Sequence, residues 1–134
     1  MTPPASRRLG RCLCGGVEYV ITGDLRGVLA CHCSQCRRTS GHHVAMTSVN
    51  SADITLTASA TLVWYRSSER AERGFCRVCG GNLFWRPING DTISIAAGTL
   101  DTPTGLAIEK HIYVRDKSDY YALHDDVPQW DGGG

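Results

Sequence analysis

Cys76-Arg77-Val78-Cys79-Gly80-Gly81 is a C-x-x-C pair that runs straight into two glycines, and Cys12-Leu13-Cys14-Gly15-Gly16, near the start of the chain, is a C-x-C pair that does the same. Glycines after the second cysteine let the backbone curl back so that its N–H groups face the sulfurs, which is how zinc knuckles are built. A structural zinc takes four ligands, usually as two short pairs from distant parts of the chain, and Zn–S bonds of about 2.3 Å set the sulfurs about 3.8 Å apart. Cys12, Cys14, Cys76 and Cys79 therefore read as one structural zinc site that staples the first strands to the middle of the chain. The plain alternative is packing as small buried hydrophobes. Iron is the alternative metal, weakened because one of the two pairs is C-x-C rather than C-x-x-C.

Between these pairs lies Cys31-His32-Cys33-Ser34-Gln35-Cys36. On a strand the side-chain period is two, so Cys31 and Cys33 leave one face and His32 the other. Cys36 then arrives through the turn Ser34-Gln35 and closes a cup of three thiolates. Three protein ligands and one open position describe a catalytic zinc. Redox thiols, or a disulfide with one spare thiol, are the alternative reading of this cluster.

The whole chain has 134 residues, the size of one domain, and we assign a single domain to 1–130 with a frayed tail at 131–134. Hydrophobic residues are 42% and charged residues 20%, which excludes a disordered, collagen-like or coiled-coil chain. Fourteen Lys and Arg against thirteen Asp and Glu give +1, so the total charge points to no polyanionic partner and nucleic acid binding is not expected. The basic residues concentrate early: residues 1–40 carry net +4 and the remainder −3. The longest uncharged, apolar-leaning run, Ile54 to Tyr65, falls short of the roughly 20 residues that span a membrane. No apolar run follows the first arginines, so neither a secretory signal nor a membrane partner is expected, and a cytoplasmic location is. Seven cysteines, an odd number, argue against a purely disulfide framework there.

Short segments rich in Val, Ile, Thr and aromatic residues alternate with turn residues, which predicts a mainly β chain. The predicted strands are Gly16–Thr22, Gly27–Cys33, Val44–Asn50, Ile54–Ala58, Thr61–Ser67, Ala71–Cys76, Asn82–Arg86, Thr92–Ala97 and Ile108–Val114, with a hairpin turn at Asn89-Gly90. Helix is predicted only as a turn at Ser34–Thr39 and another near Gly98–Thr102.

Four segments in order, Cys12 to Tyr19, CHCSQCRRTSG (Cys31–Gly41), RGFCRVCGGNLFW (Arg73–Trp85) and KHIYVRDKSDYYALHDDVPQW (Lys110–Trp130), resemble the glutathione-dependent formaldehyde-activating enzyme family, which is related to centromere protein V. The CHCSQCRRTSG form is that of the family's shorter members. The resemblance implies a β-tent fold, with zinc-stapled antiparallel sheets, shared with the Rab-exchange and methionine sulfoxide reductase B superfamily. It matches Cys12, Cys14, Cys76 and Cys79 to the family's structural zinc ligands and Cys31, Cys33 and Cys36 to its catalytic zinc ligands, the same division that the spacing suggests.

Three thiolates on one zinc leave the site at −1, a poor Lewis acid for water because sulfur donation weakens the metal's pull on oxygen. A soft metal with an open position suits another sulfur. The expected substrate is a small, glutathione-like thiol adduct, and the expected activity that of a carbon–sulfur lyase of the S-hydroxymethyl-thiol synthase or lyase type. Arg37 and Arg38, beside Cys36, could hold the carboxylates of such a peptide bidentately, or merely offset thiolate charge. His42 or His43, on the following loop, could relay a proton. Phe84 and Trp85 are expected in the core or pocket wall. The competing function is a non-catalytic zinc-binding module, either a thiol carrier or a zinc-ribbon-like binding domain. Reductase chemistry of the same superfamily needs a reactive cysteine late in the chain, and none follows Cys79. A zinc deaminase is excluded by the lack of H-x-E before P-C-x-x-C.

Overall fold

The computed structural model describes residues 7–133. Its strands are β1 (Arg8–Arg11), β2 (Glu18–Ile21), β3 (Val28–Cys31), β4 (Val44–Asn50), β5 (Ile54–Ala58), β6 (Leu62–Arg66), β7 (Ala71–Cys76), β8 (Asn82–Pro87), β9 (Thr92–Ala96) and β10 (Ile108–Ile112), with one α-helix, α1 (Ser34–Ser40), between β3 and β4. The chain is mainly β, as its β-branched and aromatic segments require. Two sheets form, one of three strands in the order β1-β2-β5 and one of seven in the order β10-β3-β4-β9-β8-β7-β6.

Alternating burial builds the core. Tyr19 and Ile21 of β2 face inward from the small sheet, and Ile93 and Ile95 of β9, Val49 of β4, and Leu83 and Phe84 of β8 face inward from the large one. The Tyr19 and Phe84 rings meet edge to face at 5.5 Å. Phe84 is thus a core residue, whereas its neighbour Trp85 is half-buried. Cys12 and Cys76 belong to this same cluster, so the four-cysteine site is continuous with the apolar core.

The structure corrects several of these expectations. β1 was not anticipated: its Arg-Leu-Gly-Arg sequence has no alternation to announce it, and it is held by pairing with β2. β3 stops at Cys31, not Cys33, because Cys33 becomes the cap of α1. The turn near Gly98–Thr102 is a single 3-10 turn at Ala97–Thr99. β10 ends at Ile112 because Tyr113 takes a left-handed backbone, φ +54°. The sheets are antiparallel except at one seam, where β10 runs parallel to β3.

The β8–β9 connection turns one residue earlier than the expected Asn89-Gly90, at Ile88-Asn89, where the Gly90 N–H donates to the Pro87 carbonyl at 3.5 Å. Of the tail expected to fray, Gly132 accepts a hydrogen bond from the Tyr113 N–H at 3.0 Å, and Gly134 lies outside the described residues. No helix among the described residues is long and apolar enough to cross a membrane.

Candidate metal centres

The two knuckles fold alike. Cys12 N–H donates to Val17 C=O at 3.1 Å and Cys76 N–H to Gly81 C=O at 3.0 Å, and each loop turns through a glycine with positive φ, Gly15 at +78° and Gly80 at +76°. A residue with a Cβ is strained there, which is the physical reason for glycine after each second cysteine. The curl aims amides at sulfur: Val17 N–H at Cys12 Sγ (3.4 Å), Gly16 N–H at Cys14 Sγ (3.4 Å) and Cys79 N–H at Cys76 Sγ (3.5 Å).

Four sulfurs, those of Cys12, Cys14, Cys76 and Cys79, lie within 4.8 Å of one another. The Cys12–Cys14 and Cys14–Cys76 separations are 3.7 Å and 3.6 Å, close to the edge of about 3.8 Å of a tetrahedral zinc–thiolate site. The donor set and its spacing fit a structural metal. The Cys79 N–H and the Thr61 hydroxyl, 3.3 Å away, bring the Cys76 thiol down to about 6. At Cys14 the Gly16 N–H favours the thiolate, but the Cys76 contact and burial outweigh it and push the thiol up to about 11. Sulfurs this close do not all ionise without a cation between them.

The second cluster is Cys31, Cys33 and Cys36, again within 4.8 Å of one another. Cys31 ends β3, Cys33 is the N-cap of α1, and Cys36 lies in the helix's first turn with its N–H donating to Cys33 Sγ at 3.4 Å. The C-x-x-C spacing is therefore a capping geometry, which places a thiolate at the positive end of the helix. Hydrogen bonds from the Cys31 and Cys36 thiols hold Cys33 well below its ordinary value, while the Cys33 and Cys36 contacts push Cys31 up. Three sulfur donors on two short elements fit a metal with one position left for another ligand.

The cation laid on this cluster is Arg73, not Arg37 or Arg38. Both Nη1 and Nη2 of Arg73 lie 3.6 Å from Cys36 Sγ, and Nη2 is also 3.4 Å from Gln35 Oε1. Arg73 stands three residues before Cys76 on β7, so this strand serves both clusters from opposite faces. That odd spacing was the signal available in RGFC. Arg37 is half-buried and Arg38 exposed, both on α1. Among the described residues, the buried side-chain nitrogens without a hydrogen-bond partner are Arg37 Nε, His43 Nδ1 and Arg73 Nε. All three belong to α1, to the loop leaving it, or to the side chain over Cys36.

His32, between two of the cysteines, does turn away from them. It is 1% exposed, with Nδ1 2.6 Å from the Tyr121 hydroxyl and Nε2 2.9 Å from His111 Nδ1. The opposite nitrogen of His111 meets Asp125 at 2.9 Å and 3.2 Å. The His43 ring lies 4.9 Å from that of His32 and 4.5 Å from that of His42, and His42 is hydrogen-bonded to the Tyr120 hydroxyl. Burial first, then the neighbouring His43, His111, Lys117 and His42, lowers His32 to about 4, so it is neutral at pH 7. None of His111, Tyr120, Tyr121 or Asp125 was singled out from the sequence.

Residues 7–116 match the model of the glutathione-dependent formaldehyde-activating enzyme family. The chain belongs to the glutathione-dependent formaldehyde-activating enzyme family. An uncharacterized lyase of Schizosaccharomyces pombe is 26% identical to this chain over 114 residues, which cover 84% of this chain and 82% of the relative. A crystal structure of a Rhodobacter sphaeroides protein superposes with a TM-score of 0.61 at 23% identity, over 91% of this chain and 98% of that one, and supports the fold. The family's domain thus takes in both cysteine clusters and Arg73.

Proposed function

We propose that this chain is a zinc-dependent carbon–sulfur lyase-type enzyme acting on a small, glutathione-like thiol adduct. Cys12, Cys14, Cys76 and Cys79 hold a structural zinc, and Cys31, Cys33 and Cys36 a catalytic one. The observation that carries the reading is the three-sulfur cup with a guanidinium on Cys36 and three buried, unpartnered nitrogens on the residues around it. Buried polar groups are nearly always satisfied, so the unpartnered nitrogens of Arg37, His43 and Arg73 point to a polar ligand that supplies their partners.

Zinc in the cup supplies a soft position for the substrate's sulfur. Arg73 offsets the negative charge of the thiolates and so reduces the repulsion that an incoming thiolate meets. Arg37, with a free Nε, and Arg38, at the exposed rim, offer bidentate partners to the carboxylates of a glutathione-like peptide. Cleavage of a hydroxymethyl thioether breaks the C–S bond, whose electron pair leaves with sulfur. The hydroxyl proton departs as the C=O bond forms, and synthesis is the reverse. His43 is held neutral by burial, and in its Nε2–H tautomer Nδ1 is an unpartnered base for that proton.

The test uses zinc-loaded protein, glutathione and 13C-labelled formaldehyde, with the adduct–aldehyde exchange rate read by NMR against the spontaneous reaction. Acceleration by the wild type, lost in Cys33→Ser, is expected. Zinc-loaded protein that neither binds glutathione nor accelerates exchange defeats the proposal.

A further inference from the structure

A polar chain runs from His32, between Cys31 and Cys33, to Asp125. It joins residues far apart in sequence: Tyr121 OH to His32 Nδ1 at 2.6 Å, His32 Nε2 to His111 Nδ1 at 2.9 Å, and His111 Nε2 to Asp125 at 2.9 Å. His32 and His111 are 1% and 3% exposed, so the bond between them lies in a dry interior, where an unmade partner is costly, while half-buried Tyr121 and exposed Asp125 end the chain nearer the surface. The backbone is tied as well, by His32 N–H to Ile112 C=O at 3.0 Å and by the parallel pairing of Ile112 with Cys31. His32 is the single residue between Cys31 and Cys33, where β3 has ended and α1 has not begun. The His32 N–H continues the β3–β10 pairing at this link, and the ring adds two further ties, one through each nitrogen.

We propose that His111 and Asp125 are positioning residues for the three-thiolate cup: through His32 they fix the backbone that spaces Cys31 from Cys33, and thereby the affinity and geometry of the metal held there. The inference rests on the reading of that cup as a metal site. The direction of the chain follows from its end. Asp125, a carboxylate, only accepts, so His111 Nε2 carries a proton. In that tautomer His111 Nδ1 accepts from His32 Nε2–H, and His32 Nδ1 accepts from the Tyr121 hydroxyl. Outer partners that orient metal-site residues typically change metal affinity 10–100-fold when removed.

The test is a cobalt(II) and zinc titration of the full chain against a competing chelator, on the wild type, His111→Leu, His111→Gln and Asp125→Ala. Cobalt–thiolate absorption reports the geometry of each equivalent. Two equivalents are expected in the wild type. In His111→Leu the second should bind about 10–100-fold more weakly with altered ligand-field bands, while the first is unchanged. His111→Gln, which can still donate to Asp125 and accept from His32, should recover most of the affinity. Asp125 is exposed enough to be replaced without unfolding, and Asp125→Ala should weaken the second equivalent in the same direction. Imidazole 15N shifts of the wild type should show His111 protonated at Nε2.

A wild type that binds one equivalent only refutes the cup as a metal site, and this inference with it. A wild type that binds two, with the second unaltered in affinity and spectrum in His111→Leu and Asp125→Ala, leaves the cup standing and overturns the positioning role alone. An unprotonated His111 Nε2 also overturns it.

Discussion

Replacing Cys76 by Ser should lower the melting temperature by more than about 10 °C, and the size of the effect follows from where the sulfur sits. Cys76 is fully buried within the main apolar cluster, and its sulfur takes the Cys79 amide at 3.5 Å, the Thr61 hydroxyl at 3.3 Å and Cys14 Sγ at 3.6 Å. A serine hydroxyl is shorter, harder and not ionised, so it cannot close the four-sulfur site. Structural zinc contributes about 10–16 kcal/mol of apparent binding free energy, against about 5–15 kcal/mol of total stability for an ordinary domain. Even if three remaining ligands keep two thirds of that energy, about 4 kcal/mol is lost. With an unfolding entropy of about 2.1 cal/mol/K per residue over 134 residues, this lowers Tm by roughly 14 °C. Full removal of the metal should eliminate the cooperative transition.

The assay is thermal unfolding followed by the fluorescence of Trp64, Trp85 and Trp130, with and without a strong chelator. Cys36→Ser, which alters the other cluster, serves as control. A Cys76→Ser protein that melts within about 3 °C of wild type would refute the reasoning, since that shift corresponds to under about 1 kcal/mol. The four cysteines would then be core hydrophobes and no clamp.

Cys33→Ser and Cys36→Ser should fold, melt near the wild-type temperature and bind one zinc fewer, by elemental analysis. Arg73→Gln should weaken metal at the second cluster and glutathione binding by calorimetry, because it removes the cation on Cys36, whereas Arg38→Gln should affect glutathione binding alone. His43 is half-buried, and its pKa lies below the ordinary imidazole value, chiefly through desolvation and then through His42 and His111. Its unfolded form therefore takes up a proton first, so its contribution to stability is complete above about 6.5 and is lost as the pH falls below that toward the folded value. Urea midpoints between pH 7.5 and 5 should fall less steeply in His43→Phe than in wild type.

What could be read from the sequence was whatever is encoded locally. The knuckles are local: a ligand pair and the glycine that turns under it lie within six residues, so Cys76 to Gly81 shows its geometry on its face. The C-x-C-x-x-C cup is nearly so, although β3 stops early because capping a helix and continuing a strand make opposite demands on Cys33. Strands with alternating apolar residues, such as β9, were legible by the same token, and β1, short and half arginine, was not.

The rest of the candidate site is made by pairing at a distance. His32 and His111 are separated by 79 residues and meet because β10 joins β3 in parallel, the one seam of this kind in the large sheet. Parallel pairing leaves no hairpin turn and no short-range pattern to announce it. The sequence did place His32 on the face away from the cysteines, and that observation contained more than was drawn from it: a histidine directed into the interior of a β layer needs two partners for its two nitrogens. The segment Lys110–Trp130 supplies His111, Tyr121 and Asp125. Arg73 obeys the same logic in reverse. Arg37 and Arg38 were named for a substrate's carboxylates because they adjoin Cys36 in sequence, but a helix sends side chains one and two residues apart to different faces, so adjacency to Cys36 does not by itself lay a cation on its sulfur. A strand from elsewhere, already committed to the neighbouring cluster through Cys76, brings its guanidinium onto Cys36 without that constraint. The two clusters are thereby mechanically joined through β7, and a change at the structural site should be felt at the cup through Arg73 before the fold itself fails.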